Sequence, residues 1–109
     1  LYWDSYGNTY DYYLGSTLTT NGFKSYVVTS LSHNRAPILH AITTPLNYYN
    51  GTTQYHYIAI AAQNDSSGNI TLYDPHYNST YFGAHIVTVS EAYQTINNYS
   101  NRYLICNGQ

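Results

Sequence analysis

The sequence predicts an α+β domain built on an antiparallel β-sheet with short flanking helices. Two apolar segments, residues 55–62 and 69–73, are separated by a polar turn of hairpin length that contains Gly68, a pattern typical of paired antiparallel strands. Apolar residues recur at helical spacing from Phe23 to Leu31. Runs of strands interrupted by short helical segments favour an α+β architecture.

The elements follow in order from local signals. Residues 1–22 are rich in Tyr and Gly and have no sustained period, so we expect an irregular N-terminal segment before the domain at 23–109. Residues 43–54 predict a long loop. Ser90, followed by Glu91, resembles the N-cap and first turn of a second helix. The remaining predicted elements are a helix at 23–31 and strands at 36–42, 55–62, 69–73, 84–89 and 102–106.

Composition limits the partners. The 109 residues fit one small domain, and charged residues make up 7% of them against about a quarter in typical proteins. Sixteen tyrosines and many Asn, Ser and Thr supply the polar surface instead. We expect no nucleic-acid partner, because only Lys24, Arg35 and Arg102 are basic. We expect no membrane span, because no apolar run approaches the roughly 20 residues that a helical span needs.

Glycosylation motifs and the cysteine bear on the compartment. Sequons of the form Asn-x-Ser/Thr are expected by chance in a chain this rich in Asn, Ser and Thr, or they mark glycosylation sites. Together with the scarcity of Lys and Glu, they predict an extracellular or cell-surface protein. A single cysteine, Cys106, is a buried thiol by default, or pairs with a cysteine outside this sequence. The five sequons begin at Asn50, Asn64, Asn69, Asn78 and Asn98.

His56 and Asp74 are the candidate catalytic residues. His56 begins one strand of the predicted hairpin, and Asp74 ends the other. If the turn closes near residues 65–66, His56 falls opposite positions 74–75 and can reach the carboxylate. In such a pair the carboxylate orients the imidazole, which can then deprotonate a thiol or hydroxyl.

Structural explanations compete with this hypothesis. Asp-Pro is a common turn dipeptide after a strand, and a His in a Tyr-rich strand is often only half-buried. The apolar neighbours of Cys106 argue for an inert core thiol rather than a nucleophile. A metal site has weak support, because there is no His-x₃-His pattern, second Cys or acidic cluster, so we expect no cofactor and no metal. The other histidines considered as metal ligands are His33, His40, His76 and His85.

The order of these segments resembles a known family. A Pro-led apolar strand at 36–40, a loop with Asn50-Gly51-Thr52, the strand from His56, the strand ending in Asp74-Pro75, and Val89-Ser90 opening a helix look like the second half of the bacteriocin-processing-type cysteine peptidases. The similarity covers about residues 24–106. It implies a papain-like fold, of which this chain would be the half that bears His and Asp.

By this resemblance, His56 would be the catalytic base and Asp74 its orienting residue. The family takes its Cys nucleophile from a helix upstream of the first strand, and residues 1–22 contain no Cys. The resemblance therefore implies an upstream segment or separate chain that supplies the thiol, with a peptide as substrate, and no activity for this chain alone. Two alternatives stay open: a catalytically inactive surface glycoprotein that acts as a Tyr-rich binding module, or a self-associating protomer of an extracellular assembly.

Overall fold

The described residues form a single antiparallel sheet with two α-helices, so the α+β prediction is confirmed. The structure, a computed structural model, describes residues 2–3, 9–64 and 68–107. The sheet order is β1-β2-β7-β3-β4-β5-β6, and every neighbouring pair is antiparallel. The elements are β1 (Tyr2–Trp3), β2 (Thr9–Leu14), α1 (Thr20–Ser32), β3 (Ile38–Ile42), β4 (Tyr55–Gln63), β5 (Asn69–Asp74), β6 (Gly83–Thr88), α2 (Val89–Asn97) and β7 (Tyr103–Asn107).

The two faces of the sheet differ in composition. Alternate residues of each strand point to opposite faces, which sorts the side chains by parity. One face, the core face, carries fully buried apolar side chains from four strands and packs against both helices. The other, the open face, carries most of the exposed tyrosines. The core-face residues at 0–2% exposure in β3, β4, β5 and β7 are Leu39, Ala41, Ile58, Ile60, Ile70, Leu72, Leu104 and Cys106.

Both helices begin at a capped residue. Thr19 caps α1 by accepting a hydrogen bond from the Gly22 amide at 3.0 Å. Thr88 caps α2, and its side chain and that of Glu91 form a reciprocal capping box. The prediction of Ser90 as the N-cap was therefore wrong by two residues, because the threonine that ends β6 already has a glutamate three residues later. Neither helix in the described residues is long and apolar enough to cross a membrane.

Residues 1–22 contain more regular structure than the irregular segment expected from the sequence. Thr9–Leu14 form β2, which pairs with β7 from Tyr10 to Leu14. After β2, a short 3₁₀ helix at Gly15–Thr17 lies against α2 so closely that a Cβ on Gly15 would collide with the Ile96 backbone. Tertiary pairing with a strand almost a hundred residues away creates β2, and local periodicity does not report such pairing.

The β4–β5 hairpin has the predicted orientation and a shifted register. Its turn, at residues 65–67, lies outside the described residues. Gln63 pairs with Ile70, but a bulge between Ile60 and Ala62 shifts the later pairs, so that Ala59 pairs with Tyr73. Continuing that register puts His56 level with position 76 rather than with the predicted positions 74–75. Asp74 is then the diagonal neighbour of His56 on the core face.

Candidate functional site

The structure brings His56 and Asp74 into contact at one end of the hairpin. His56 Nε2 lies 2.7 Å from Asp74 Oδ1. The His56 side chain is 20% exposed, whereas that of Asp74 is fully buried. The two residues therefore form a hydrogen-bonded pair with the carboxylate inside and the imidazole at the surface.

Asp74 accepts hydrogen bonds from several other donors. The hydroxyls of Tyr48 and Tyr49 donate to Oδ2 at 2.8 and 2.6 Å, and the His76 amide donates to Oδ1 at 3.0 Å. Burial alone would raise the pKa of Asp74, but the bonds from Tyr49, His56, Tyr48 and the His76 amide together lower it below its ordinary value. Asp74 is thus held as a buried carboxylate.

The two tyrosine hydroxyls stay protonated for the converse reason. Burial, followed by the bond to Asp74, raises the pKa of both Tyr48 and Tyr49 far above the ordinary value of a phenol. Each hydroxyl therefore remains a donor at any physiological pH. The negative charge of this hydrogen-bonded group therefore lies on Asp74, and both tyrosines stay neutral donors.

The loop between β3 and β4 positions these tyrosines. The Thr43 amide donates to the Gln54 carbonyl at 3.0 Å, and the Gln54 amide donates to the Thr43 hydroxyl at 2.9 Å, which closes the base of the loop. A 3₁₀ helix at Asn47–Tyr49 carries both tyrosines. The Asn47 amide donates to Glu91 Oε2 at 2.9 Å and thereby ties the loop to α2.

Hydrogen bonding fixes the proton positions of two histidines. Because the Asp74 carboxylate can only accept, His56 carries its proton on Nε2, and its Nδ1 is an acceptor with no hydrogen bond to any described residue. His76 accepts from the Asn78 amide at Nδ1, at 2.9 Å, so its Nε2 donates to Gln54 Oε1 at 2.7 Å. Of these two rings, only that of His56 keeps a nitrogen available to take up a proton.

The histidines considered as metal ligands are scattered. Within residues 2–3, 9–64 and 68–107, no group of three or more His, Cys, Asp or Glu could hold a metal ion. His85 donates from Nε2 to the Tyr81 carbonyl and stacks on Tyr48 at 3.7 Å between ring centroids. His33 is exposed at the end of α1, and His40 lies on the open face.

Cys106 is far from the histidine and aspartate pair. It lies fully buried on the core face of β7, and burial raises the pKa of its thiol, as expected of an inert core cysteine. His40 pairs with both Tyr103 and Tyr57, and this common register relates β7 to β4. In this register Cys106 lies about 13 Å from His56 along the strands and about 10 Å from it across the strands. The default interpretation as a buried thiol is confirmed.

The open face forms a second surface of distinct chemistry. Tyr57 stacks on His40 at 4.8 Å between ring centroids and is 56% exposed. Beside it lies a hollow of about 180 Å³ lined by Ile38, Tyr57, Ala59, Tyr73 and Pro75. This volume is comparable to that of a cavity that holds one benzene ring. The face therefore offers aromatic contact area with hydroxyl groups and little charge.

The sequon asparagines differ in exposure. Asn69 lies within β5 and is half-buried. Asn64 and Asn78 use their side-chain oxygens to accept hydrogen bonds from the Thr71 hydroxyl and the Thr80 amide. The exposed asparagines are Asn50, Asn64, Asn78 and Asn98.

Comparison with protein-family models, with curated proteins and with solved structures finds no match for this chain. The papain-like relationship therefore remains an expectation based on the order of the segments.

The sequence does not single out the residues that donate to Asp74. Tyr48 and Tyr49 lie in a predicted loop, and in a chain with sixteen tyrosines no single tyrosine carries a signal. No local signal marks Gln54, which accepts a hydrogen bond from His76. The one usable hint was Asn50-Gly51, a turn signal that places the preceding residues in a compact loop; Asn50 indeed adopts a left-handed conformation with φ 53°.

Proposed function

We propose that this chain supplies the base and its orienting carboxylate to a cysteine-peptidase-type site, with the thiol contributed by another segment or another chain. The observation that carries the proposal is the His56 ring, which bonds the buried Asp74 through Nε2 and leaves Nδ1 free to accept a proton. The substrate class is a peptide. We place the protein outside the cell or at its surface, in keeping with its composition.

The chemistry follows from that tautomer. His56 Nδ1 takes the proton of the incoming thiol, and the thiolate attacks the carbonyl carbon of a peptide bond. The carboxylate of Asp74 stabilises the imidazolium that forms. His56 then gives the proton to the nitrogen of the leaving amine as the C–N bond breaks, and water hydrolyses the resulting thioester with His56 again acting as base.

The surroundings of Asp74 support this role. An orienting carboxylate must keep its charge and its geometry, and the bonds from Tyr48, Tyr49 and the His76 amide supply both. The raised pKa values of the two tyrosines prevent them from becoming competing anions. A merely structural Asp-Pro turn would not need a histidine at the surface end of the pair.

The test begins with material purified from the natural source of the protein. A co-purifying polypeptide that carries a cysteine is sought by intact-mass measurement and peptide mapping. Its alkylation by iodoacetamide is then followed for complexes that contain the wild-type chain, His56→Ala or the matched control His33→Ala. We expect rapid, selective alkylation with the wild type and with His33→Ala, and a loss of at least about tenfold with His56→Ala.

Two outcomes would overturn the proposal. One is the absence of any thiol-bearing partner. The other is an alkylation rate that His56→Ala leaves unchanged. Nitrogen-detected NMR of the isolated chain adds an independent check on the geometry, because His56 should carry its proton on Nε2 in the wild type and lose that preference in Asp74→Asn.

A second candidate function is non-catalytic, and the open face favours it. Exposed tyrosines give large contact area at low entropy cost, and the hollow beside Tyr57 can take one ring. In that case the chain is a binding module, and Tyr57→Ser should abolish capture of the partner while His56→Ala leaves capture intact. The peptidase proposal predicts that His56→Ala leaves capture intact but lowers thiol reactivity, so the two functions are separable by the reactivity measurement.

A further inference from the structure

β6 lies at one edge of the sheet, and its backbone pairing can be assigned residue by residue. The Val89 amide donates to the Gly68 carbonyl at 2.8 Å. This bond continues the β5–β6 register by one pair and makes Val89 and Gly68 a hydrogen-bonded pair. Bonding direction alternates along a strand, so His85 and Val87 bond to β5. The N–H and C=O groups of Ala84 and Ile86 therefore point away from the sheet.

Within the part of the chain that the structure describes, this edge has none of the usual protection. Natural sheets guard an edge with charged residues, a proline, a bulge or a covering element. The sequence of β6, Gly-Ala-His-Ile-Val-Thr, contains no charged residue and no proline, and the bulge of the sheet lies on β4 instead. Ile86 is 67% exposed, and no described strand pairs with the outer side of β6.

We propose that β6 pairs antiparallel with the β6 of a second copy of this chain, around a two-fold axis at His85. In this register Ala84 faces Ile86 of the partner subunit, and each such pair exchanges both its N–H and its C=O. Thr88 lies outside the pairing, because its amide already bonds Glu91 at 3.3 Å.

The second copy fits this edge better than an arbitrary strand. The register sets the large exposed Ile86 against the small Ala84, which makes the surface complementary to itself, as a two-fold interface requires. A formal net charge of -2 opposes association only weakly. The contact joins both sheets into one and continues the open face from one copy to the other.

The pairing is tested by sedimentation of the isolated chain from micromolar to millimolar concentration, together with amide hydrogen exchange. We expect a monomer–dimer equilibrium in which the amides of Ala84 and Ile86 gain protection as the concentration rises. The amides of His85 and Val87 should show protection that does not depend on concentration. This alternation distinguishes edge pairing from any contact made by side chains alone.

Ile86→Lys places a charged side chain on the edge and should keep the protein monomeric throughout that range. Val28→Lys is the matched control, because Val28 is 43% exposed on α1 and receives the same charge. It should dimerise like the wild type. A wild type that stays monomeric, a species larger than a dimer, or equal loss of dimer in both variants would each overturn the proposal.

Discussion

His56 and His40 lie in adjacent strands on opposite faces of the sheet, and the charge of the hydrogen-bond partner separates their roles. His56 donates to the buried carboxylate of Asp74, whereas His40 Nε2 accepts from the Arg102 guanidinium at 3.1 Å. Burial and then the positive charge of Arg102 lower the pKa of His40. On the core face the imidazole thus donates to a carboxylate, whereas on the open face the imidazole accepts from a cation that favours its neutral form.

The two partners also differ in how completely they are satisfied. Both oxygens of Asp74 accept hydrogen bonds from neighbouring residues. In contrast, Nε of Arg102 is buried without a hydrogen-bond partner among the described residues, although the guanidinium lies 4.9 Å from the ring centroid of Tyr55. Asp74 thus organises its surroundings, because neighbouring donors converge on both of its oxygens. The surroundings of Arg102 instead leave one of its donors without a partner among the described residues.

The strongest challenge to this comparison is Asp74→Asn. An amide has one accepting oxygen where the carboxylate has two, so either the two tyrosine hydroxyls or the His56 ring lose their acceptor. We expect the free energy of unfolding in urea at neutral pH to fall by about 3 kcal/mol. The matched control is Asp11→Asn, on the half-buried carboxylate of β2, which should cost less than about 1 kcal/mol. Equal losses in both variants would show that Asp74 does not organise the core-face site.

Tyr49→Phe sharpens the same point by removing one donor. Tyr49 is fully buried, and its hydroxyl makes the shorter of the two tyrosine bonds to Asp74. We expect a loss of about 2 kcal/mol in the free energy of unfolding, typical of a hydrogen bond to a charged group. The pKa of Asp74 should rise, measured by the carboxyl carbon shift in NMR. Tyr57→Phe on the open face is the control and should change stability by less than about 0.5 kcal/mol. A Tyr49→Phe protein as stable as Tyr57→Phe contradicts this account.

The sequence predicts the hairpin and the contact of its two polar ends because both depend on local signals. Alternation, a Gly-containing turn and the Asp-Pro stop define β4 and β5 to within a residue or two. The bulge near Ala61 is invisible in that pattern, and it moves the register at His56. The contact still forms, because a diagonal neighbour on the same face lies within reach of a long side chain.

What the sequence does not predict depends on distant segments. β2 forms because its backbone pairs with β7. The tyrosines that donate to Asp74 come from a loop more than twenty positions earlier. Tyr48 and Tyr49 look like every other tyrosine until the loop is closed by Thr43 and Gln54. The sequence therefore predicts which polar residues meet at the ends of one hairpin. It does not predict the hydrogen-bond donors that tertiary folding brings around them.

Acid titration separates the two faces. Asp74 has a folded-state pKa below its unfolded value, so its contribution to stability is present above about pH 4 and is lost as the pH falls toward the folded pKa. His40 also has a lowered pKa, so its loss begins below about pH 6.5, where the unfolded chain takes up a proton first. We expect His40→Gln to remove the upper step from urea unfolding measured against pH, and Asp74→Asn to remove the lower one. A single step that survives both substitutions would contradict the assignment.

Arg102→Met has the smallest expected effect on stability. It directly tests the contrast between the cationic partner of His40 and the anionic partner of His56. Methionine keeps an unbranched apolar stem but removes the charge beside His40 and the cation over Tyr55, so the loss in stability should be about 0.5 to 1 kcal/mol. The pKa of His40, followed by its ring proton shift in NMR, should rise but stay below the ordinary value, because burial, the larger cause, remains. Lys24→Met on the exposed side of α1 removes an equal charge and should leave that pKa unchanged. If the pKa of His40 does not move in Arg102→Met, burial alone keeps this histidine neutral, and the contrast with His56 is one of solvent access rather than of partner charge.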